Sequence, residues 1–94
     1  MYARVITAQL HPDRIDDFLR AWQEGTLPSV RQATGFQDVT MYVERATGRA
    51  TMVAHYDSEA AATAAHAGMR ERNAPLAEYF ATPPGGGVYE VAVR

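Results

Sequence analysis

A chain of 94 residues, 47% hydrophobic and 21% charged, has the length of one globular domain and the composition of neither a disordered nor a membrane-spanning protein. Its formal charge is −2 and its nine basic residues are all arginine, which excludes Schiff-base and P-loop lysine chemistry and offers no basic stripe for nucleic acid. Cysteine is absent, so thiolate catalysis, disulfides and thiolate metal sites are excluded too.

Residues 2–10 are rich in β-formers (Tyr2, Val5, Ile6, Thr7) and read as a first strand. Tyr2, Ile6, Ala8 and Leu10 fall on one face with Arg4, and Ala3 and Val5 on the other, the pattern of a strand covered on both sides. His11-Pro12-Asp13 breaks into a helix, with Pro12 at its start and Asp13 as a candidate cap. Ile15, Phe18, Leu19 and Trp22 recur at helical spacing and form one apolar stripe, which makes Trp22 a core residue. Gly25 and Pro28 are expected to end or kink this helix, with a further turn or two up to Ala33.

Residues 36–45 alternate as a second strand, with Val39, Met41 and Val43 opposite Thr40, Tyr42 and Glu44. Ala46-Thr47-Gly48 forms a short hairpin connection. Residues 49–56 form a third strand, with Met52, Ala54 and Tyr56 on one face and Thr51, Val53 and His55 on the other. Asp57 or Ser58 caps an alanine-rich second helix that carries His66. Gly68 weakens that helix, Asn73-Ala74-Pro75 interrupts it, and residues 76–80 add a turn. Pro83-Pro84-Gly85-Gly86-Gly87 reads as a flexible loop that could serve as a lid. Residues 88–93 read as the last strand.

The order βαββαβ is the ferredoxin-like plan of one α+β domain over residues 1–94: a four-stranded antiparallel sheet with two helices on one face. The opposite face still carries apolar and aromatic residues, and so small a chain has nothing left to cover it, so a second copy is the expected partner. No apolar run approaches the ~20 residues of a membrane span. Met1-Tyr2-Ala3-Arg4 enters a strand pattern without a signal-peptide layout, so no membrane association and a cytoplasmic location are expected.

Several local motifs, taken in order, resemble the antibiotic biosynthesis monooxygenase-like group of the dimeric α/β-barrel superfamily. These are Leu10-His11-Pro12-Asp13, Leu27-Pro28, Gly35-Phe36, Thr47-Gly48, Tyr56-Asp57-Ser58-Glu59-Ala60 and Ala65-His66. The resemblance implies a homodimer with its sheets face to face. It also implies, for some members, cofactor-independent oxygenation of polycyclic aromatic or quinol-type molecules; others degrade haem, and many have no known activity. Active relatives often carry Trp where this chain has Tyr56, and the aromatic-oxidising branch carries Asn where it has Met52. The haem-degrading branch needs an Asn on the first strand, where Ile6 stands, and a haem-ligating His in the region of residues 73–75, where this chain has none. No cofactor is therefore expected.

His66 could exchange a proton with a phenolic substrate, and Tyr56 could orient a substrate oxygen; these are the catalytic candidates. Each also has a plain reading, His66 as a half-buried helix residue and Tyr56 as a core aromatic. Arg4, Met52 and Tyr42 are the candidate substrate-binding residues. For Arg4 a carboxylate across the sheet, Glu44 or Glu90, is the expected partner and a substrate oxygen the alternative. His11, His55 and His66 lack metal-ligand spacing, and Ser29 and Ser58 have no nucleophile context. The functional expectation is a cofactor-independent monooxygenase acting on an aromatic or quinol-type molecule. The alternatives are a non-catalytic, dimeric ligand-binding or stress-related protein of the same fold and, against the acidic charge and the composition of the third strand, an RNA-binding or amino-acid-sensing module.

Overall fold

The strands β1 (Tyr2–Leu10), β2 (Phe36–Glu44), β3 (Arg49–Tyr56) and β4 (Phe80–Glu90) form one sheet in the order β2-β3-β1-β4, with every neighbouring pair antiparallel. The computed structural model describes all 94 residues. Between β1 and β2 the chain runs through a 3-10 turn (Pro12–Arg14), α1 (Ile15–Ala21), a π turn (Trp22–Thr26) and α2 (Leu27–Arg31). Between β3 and β4 lie α3 (Glu59–Ala67), α4 (Met69–Asn73) and a 3-10 segment (Ala74–Tyr79). This is the ferredoxin-like βαββαβ arrangement.

Strand alternation sorts the side chains. Ile6, Leu10, Ala50, Met52, Ala54 and Tyr56 point toward the helices and join Ile15, Phe18, Trp22, Ala61, Ala62, Ala65 and Leu76 in one core cluster. The alanines of α3 let that helix approach the sheet closely, while α1 supplies the bulk. Ser58 is the N-cap of α3, its side chain accepting the Ala61 N–H at 3.2 Å. Asp13 lies inside the first 3-10 turn, where no side chain caps the helix. Gly48, at φ 82°, closes the β2–β3 hairpin, and its carbonyl accepts the Leu10 N–H at 2.8 Å.

The breakers did not act where their composition suggested. Gly25 and Pro28 do not end the first helical segment. The backbone widens into the π turn instead, the Leu27 N–H reaching the Trp22 carbonyl, and Pro28 falls in the first turn of α2, where a missing N–H costs little.

The expected loop at residues 83–87 is part of β4, and that strand ends at Glu90 rather than Val93. Two facts explain this. β4 is an edge strand paired only with β1, and the register shifts between Thr7 and Gln9, so Pro83 and Pro84 bulge past the ladder between the Gln9–Thr82 and Thr7–Gly85 pairs. Beyond it, Gly86 lies so close to β1 that a Cβ there would overlap the Val5 carbonyl. Gly86 serves close strand approach, and the tract is no lid.

The sheet face turned away from the helices carries Val5 and Val53, paired across β1 and β3, and the side chains of Tyr42 and Tyr89, each more than half exposed. His55 is on this face as well, its Nδ1 2.6 Å from Asp38. No helix is long and apolar enough to cross a membrane.

Candidate functional site

A cleft opens between the sheet and the helices, and its walls follow from the periodicities above. Phe18, Trp22, Thr26 and Val30, each four residues after the last, form one wall along α1, the π turn and α2. Ile6, Ala8, Ala50, Met52 and Met41 floor it from β1, β3 and β2, and Met69, Arg72 and Asn73 of α4 face the first wall. Phe80 and Pro84 stand at the rim. The inner chamber has about 40 Å³ of space open to the centre of a water molecule, room for a few waters by the usual ~10–15 Å³ criterion. It shares Met69, Asn73, Phe80 and Pro84 with an outer bowl of about 460 Å³ measured in the same way.

Arg4 enters the cleft from the floor. It is only 1% exposed and lies between Ala54 on β3 and Val88 on β4, the small alanine leaving room for its guanidinium. Nη1 donates to the Tyr56 hydroxyl over a long 3.4 Å, and the buried Nε–H has no acceptor. The carboxylate expected for it is not there. Glu44 is exposed, on the opposite face of β2 from Met41, and Glu90 pairs with Tyr2 at the end of the ladder. Neither takes part in any ion pair with Arg4.

Arg72 has no carboxylate partner either; it donates through Nη2 to the Ala65 carbonyl. Its guanidinium folds back over Gly68, where a Cβ would come within 2.7 Å of Nη1. Burial lowers its pKa from the ordinary value, and the charge of Arg4 acts in the same direction, opposed by Tyr56 and Glu71. His66 lies in the same electrostatic neighbourhood. Burial first, then Arg4 and Arg72, holds its imidazole below the ordinary pKa, and its buried Nδ1 has no hydrogen-bond partner.

The structure therefore divides the candidate residues into three groups. Arg4 and Met52 line the cleft. Tyr56 and His66 do not: Tyr56 is fully buried behind the Arg4 guanidinium, and His66 reaches the site through the two arginine charges. Tyr42 is on the wrong side of the sheet, because strand alternation turns its neighbour Met41 into the cleft and leaves Tyr42 59% exposed on the far face. Trp22 is buried in the core, as expected, and also forms part of the wall.

Arg72, Asn73 and Phe80 are site residues that the sequence pattern did not reveal. In the sequence, residues 69–72 read only as the weakened end of the second helix, between Gly68 and the Asn73-Ala74-Pro75 interruption, with nothing to turn Arg72 toward the sheet. No imidazole or thiolate faces the cleft. No group of His, Cys, Asp and Glu side chains is placed to hold a metal ion. The arrangement can hold an apolar ring against aromatic and methionine side chains and meet an electron-rich oxygen with guanidinium N–H groups.

The family model for antibiotic biosynthesis monooxygenase matches residues 1–74. No curated protein matches by sequence. Among solved structures, one from Nitrosomonas europaea that bears the antibiotic biosynthesis monooxygenase name superposes with a TM-score of 0.77 at 20% identity, over 99% of this chain and 100% of the other. A Streptomyces coelicolor monooxygenase in complex with the ligand nanaomycin D gives 0.70 at 20% identity, over 93% and 83%. A dimeric ferredoxin-like protein from an uncultured marine organism gives 0.72 at 18%, over 100% and 97%. At these identities the similarity to solved structures establishes the shared fold.

Proposed function

The chain belongs to the antibiotic biosynthesis monooxygenase family, and from that premise we propose that it is a monooxygenase acting on an aromatic, quinol-type molecule without metal or flavin. The observation that carries this reading is a cleft with mostly apolar walls and a buried, carboxylate-free guanidinium on its floor. The ring of the substrate rests against Met69, Phe80 and Pro84, where the inner chamber meets the outer bowl. Met41, Met52 and Met69 are unbranched and move aside to admit it from the outer bowl.

The cationic Arg4 favours the phenolate form of a hydroxyl placed against it, and Tyr56 holds that guanidinium in position. His66, kept neutral by burial and the nearby arginines, does not line the cleft, so as the proton acceptor it works through one bridging water. The electron-rich anion then reduces O2. In the balance, the substrate gives up two hydrogens and gains one oxygen atom, and the second oxygen atom leaves with those hydrogens as water.

The test is oxygen uptake by the purified protein with a panel of quinols and naphthols. Uptake matched one-to-one by quinone formation is expected, with His66→Ala slowing turnover by the ~10²–10⁴-fold of a lost general base. No uptake across the panel, or full activity in His66→Ala, overturns the reading.

A second reading, a ligand-binding protein of the same fold without turnover, is favoured by one observation. The inner chamber is narrow, and Met52 and Tyr56 stand where active members of the family often carry Asn and Trp. Calorimetric binding of a naphthol with no oxygen consumed would select it. In either reading the open face bearing Val5, Val53, Tyr42 and Tyr89 packs against the same face of a second copy, a reading supported by the marine ferredoxin-like protein whose name calls it dimeric.

A further inference from the structure

We propose that Arg4 and Arg72 form a carboxylate-binding subsite at the inner end of the cleft, so that the ligand of this protein is an aromatic carboxylic acid bound with its carboxylate inward. The proposal rests on the cleft being the ligand site, as in the preceding section, and adds what the ligand must carry.

Its first support is an imbalance of charge. Arg14, Arg45 and Arg94 have carboxylate partners on the surface, and Arg20, Arg31, Arg49 and Arg70, which have none, are exposed to water. The two arginines that line the cleft have none. They are close enough for the charge of Arg4 to act on Arg72, adding to the burial that lowers the Arg72 pKa. A buried cation without a counter-charge is strongly unfavourable, and Arg4 is one, with the half-buried Arg72 beside it. Here no carboxylate of the chain forms an ion pair with either arginine, and the charge of Glu71 acts on Arg72 without contact.

The second support is the set of unused donors. Arg4 spends Nη1 on a long bond to Tyr56 and leaves its buried Nε–H without an acceptor. Arg72 spends Nη2 on the Ala65 carbonyl, which leaves Nη1 and Nε as donors, and Asn73 adds an amide on the same wall. A planar carboxylate, with two oxygens and about four acceptor positions, matches guanidinium donors of this number and geometry.

A phosphate monoester fits less well. It is tetrahedral, carries more charge, and would have to displace more of the Ile6, Ala50 and Met52 floor. A neutral phenol satisfies the space and leaves both charges uncompensated. Size agrees with this order: the inner chamber takes a few non-hydrogen atoms, enough for a carboxylate, while the attached ring lies toward the shared walls of Met69, Phe80 and Pro84 and the wider bowl.

The experiment is calorimetric titration of the full chain with 2-naphthoate, 2-naphthamide, 2-naphthol and 2-naphthyl phosphate at matched ionic strength, repeated on Arg72→Gln and Arg4→Gln. The wild-type protein should bind the carboxylate at least tenfold more tightly than the isosteric amide and more tightly than the phosphate. Arg72→Gln, which changes a side chain at the wall rather than the sealed floor, should bring carboxylate and amide within a factor of two of each other. It keeps the test decisive if Arg4→Gln does not fold.

Equal binding of carboxylate and amide, no binding of the carboxylate, tighter binding of the phosphate, or a preference that survives in Arg72→Gln would each overturn the proposal. Oxygen uptake separates this outcome from the proposed oxidation. A carboxylate preference without oxygen uptake leaves the subsite standing and removes the monooxygenase; uptake with naphthol and no carboxylate preference does the reverse.

Discussion

Three adjacent glycines in β4 provide a sharp test of the strand assignment, because the structure gives them different surroundings. A Cβ at Gly85 would have nothing within 4 Å, and one at Gly87 would meet only the Tyr89 ring at 3.7 Å, an ordinary contact. A Cβ at Gly86 would run into the Val5 carbonyl and come within 2.9 Å of the Ile6 Cα. The obstruction is backbone in the neighbouring strand, so no rotamer change relieves it, and the β1–β4 ladder has to open.

Overpacking of this kind costs about 2–3 kcal/mol. For a domain of this length each kcal/mol moves Tm by roughly 4–8 °C, so Gly86→Ala should lower Tm by roughly 8–24 °C. Gly85→Ala and Gly87→Ala should hold Tm or raise it, since alanine removes ~0.4–1 kcal/mol of conformational freedom from the unfolded chain. Thermal unfolding followed by circular dichroism, with urea midpoints at 25 °C as a check, measures all three. Three indistinguishable variants would show that the tract is the loop its composition suggests and would refute the pairing of Ile6 with Gly86.

Other expectations concern the site and the open face. Gly68→Ala should stabilise the helical segment by up to ~1 kcal/mol while pushing the Arg72 guanidinium from its fold over residue 68; higher Tm with weaker ligand binding is the expected pair of results, and unchanged binding would show that Arg72 does not need this position. His66 has a folded-state pKa below its unfolded value, so the unfolded chain takes up the proton first as pH falls. Stability should therefore drop on going from pH 7.5 through the unfolded pKa of ~6.5 and level off below the folded pKa. Tm recorded between pH 7.5 and 5.5 should fall less in His66→Gln than in the wild type, and identical slopes would contradict the shift. Val53→Asp, on the open face, should convert the proposed dimer to monomer in light scattering without altering the helical circular dichroism signal; an unchanged mass would place the dimer contact elsewhere.

Much of the fold was legible in the sequence, because it rests on local periodicity. The apolar stripe Ile15–Phe18–Leu19–Trp22, the alternation around Met41 and Met52, the glycine turn at Gly48 and the Ser58 cap are short-range features, and each holds. The first part of β4, residues 80–87, was hidden because its fitness as a strand depends on lying at an edge beside a particular stretch of β1, a fact of tertiary pairing. The site was less legible for the same reason. Arg4 and Met52 could be assigned to the inner face by alternation, which should also have ruled out Tyr42. Nothing local showed that the partner of Arg4 would be a tyrosine hydroxyl instead of Glu44 or Glu90, or that Arg72 would turn back toward the same cleft.

The residues that break regular structure have a common role here. Gly25 and Pro28 flank or occupy the π turn and its exit, where the widened backbone keeps Trp22, Thr26 and Val30 on one wall; π turns are frequent at functional sites. Gly68 separates α3 from α4 and makes room for the Arg72 guanidinium. Pro83 and Pro84 bulge from β4, which puts Pro84 at the rim of both chambers. A packed βαββαβ core needs none of these features, since an uninterrupted helix and a flush edge strand would close over the sheet more tightly. Each departure from regularity borders the cleft, and two of them position the polar or aromatic groups that give it chemical character. The irregular positions thus point to a cavity the fold keeps open, and Arg4, sealed beneath it without a carboxylate, points to the charge of what it holds.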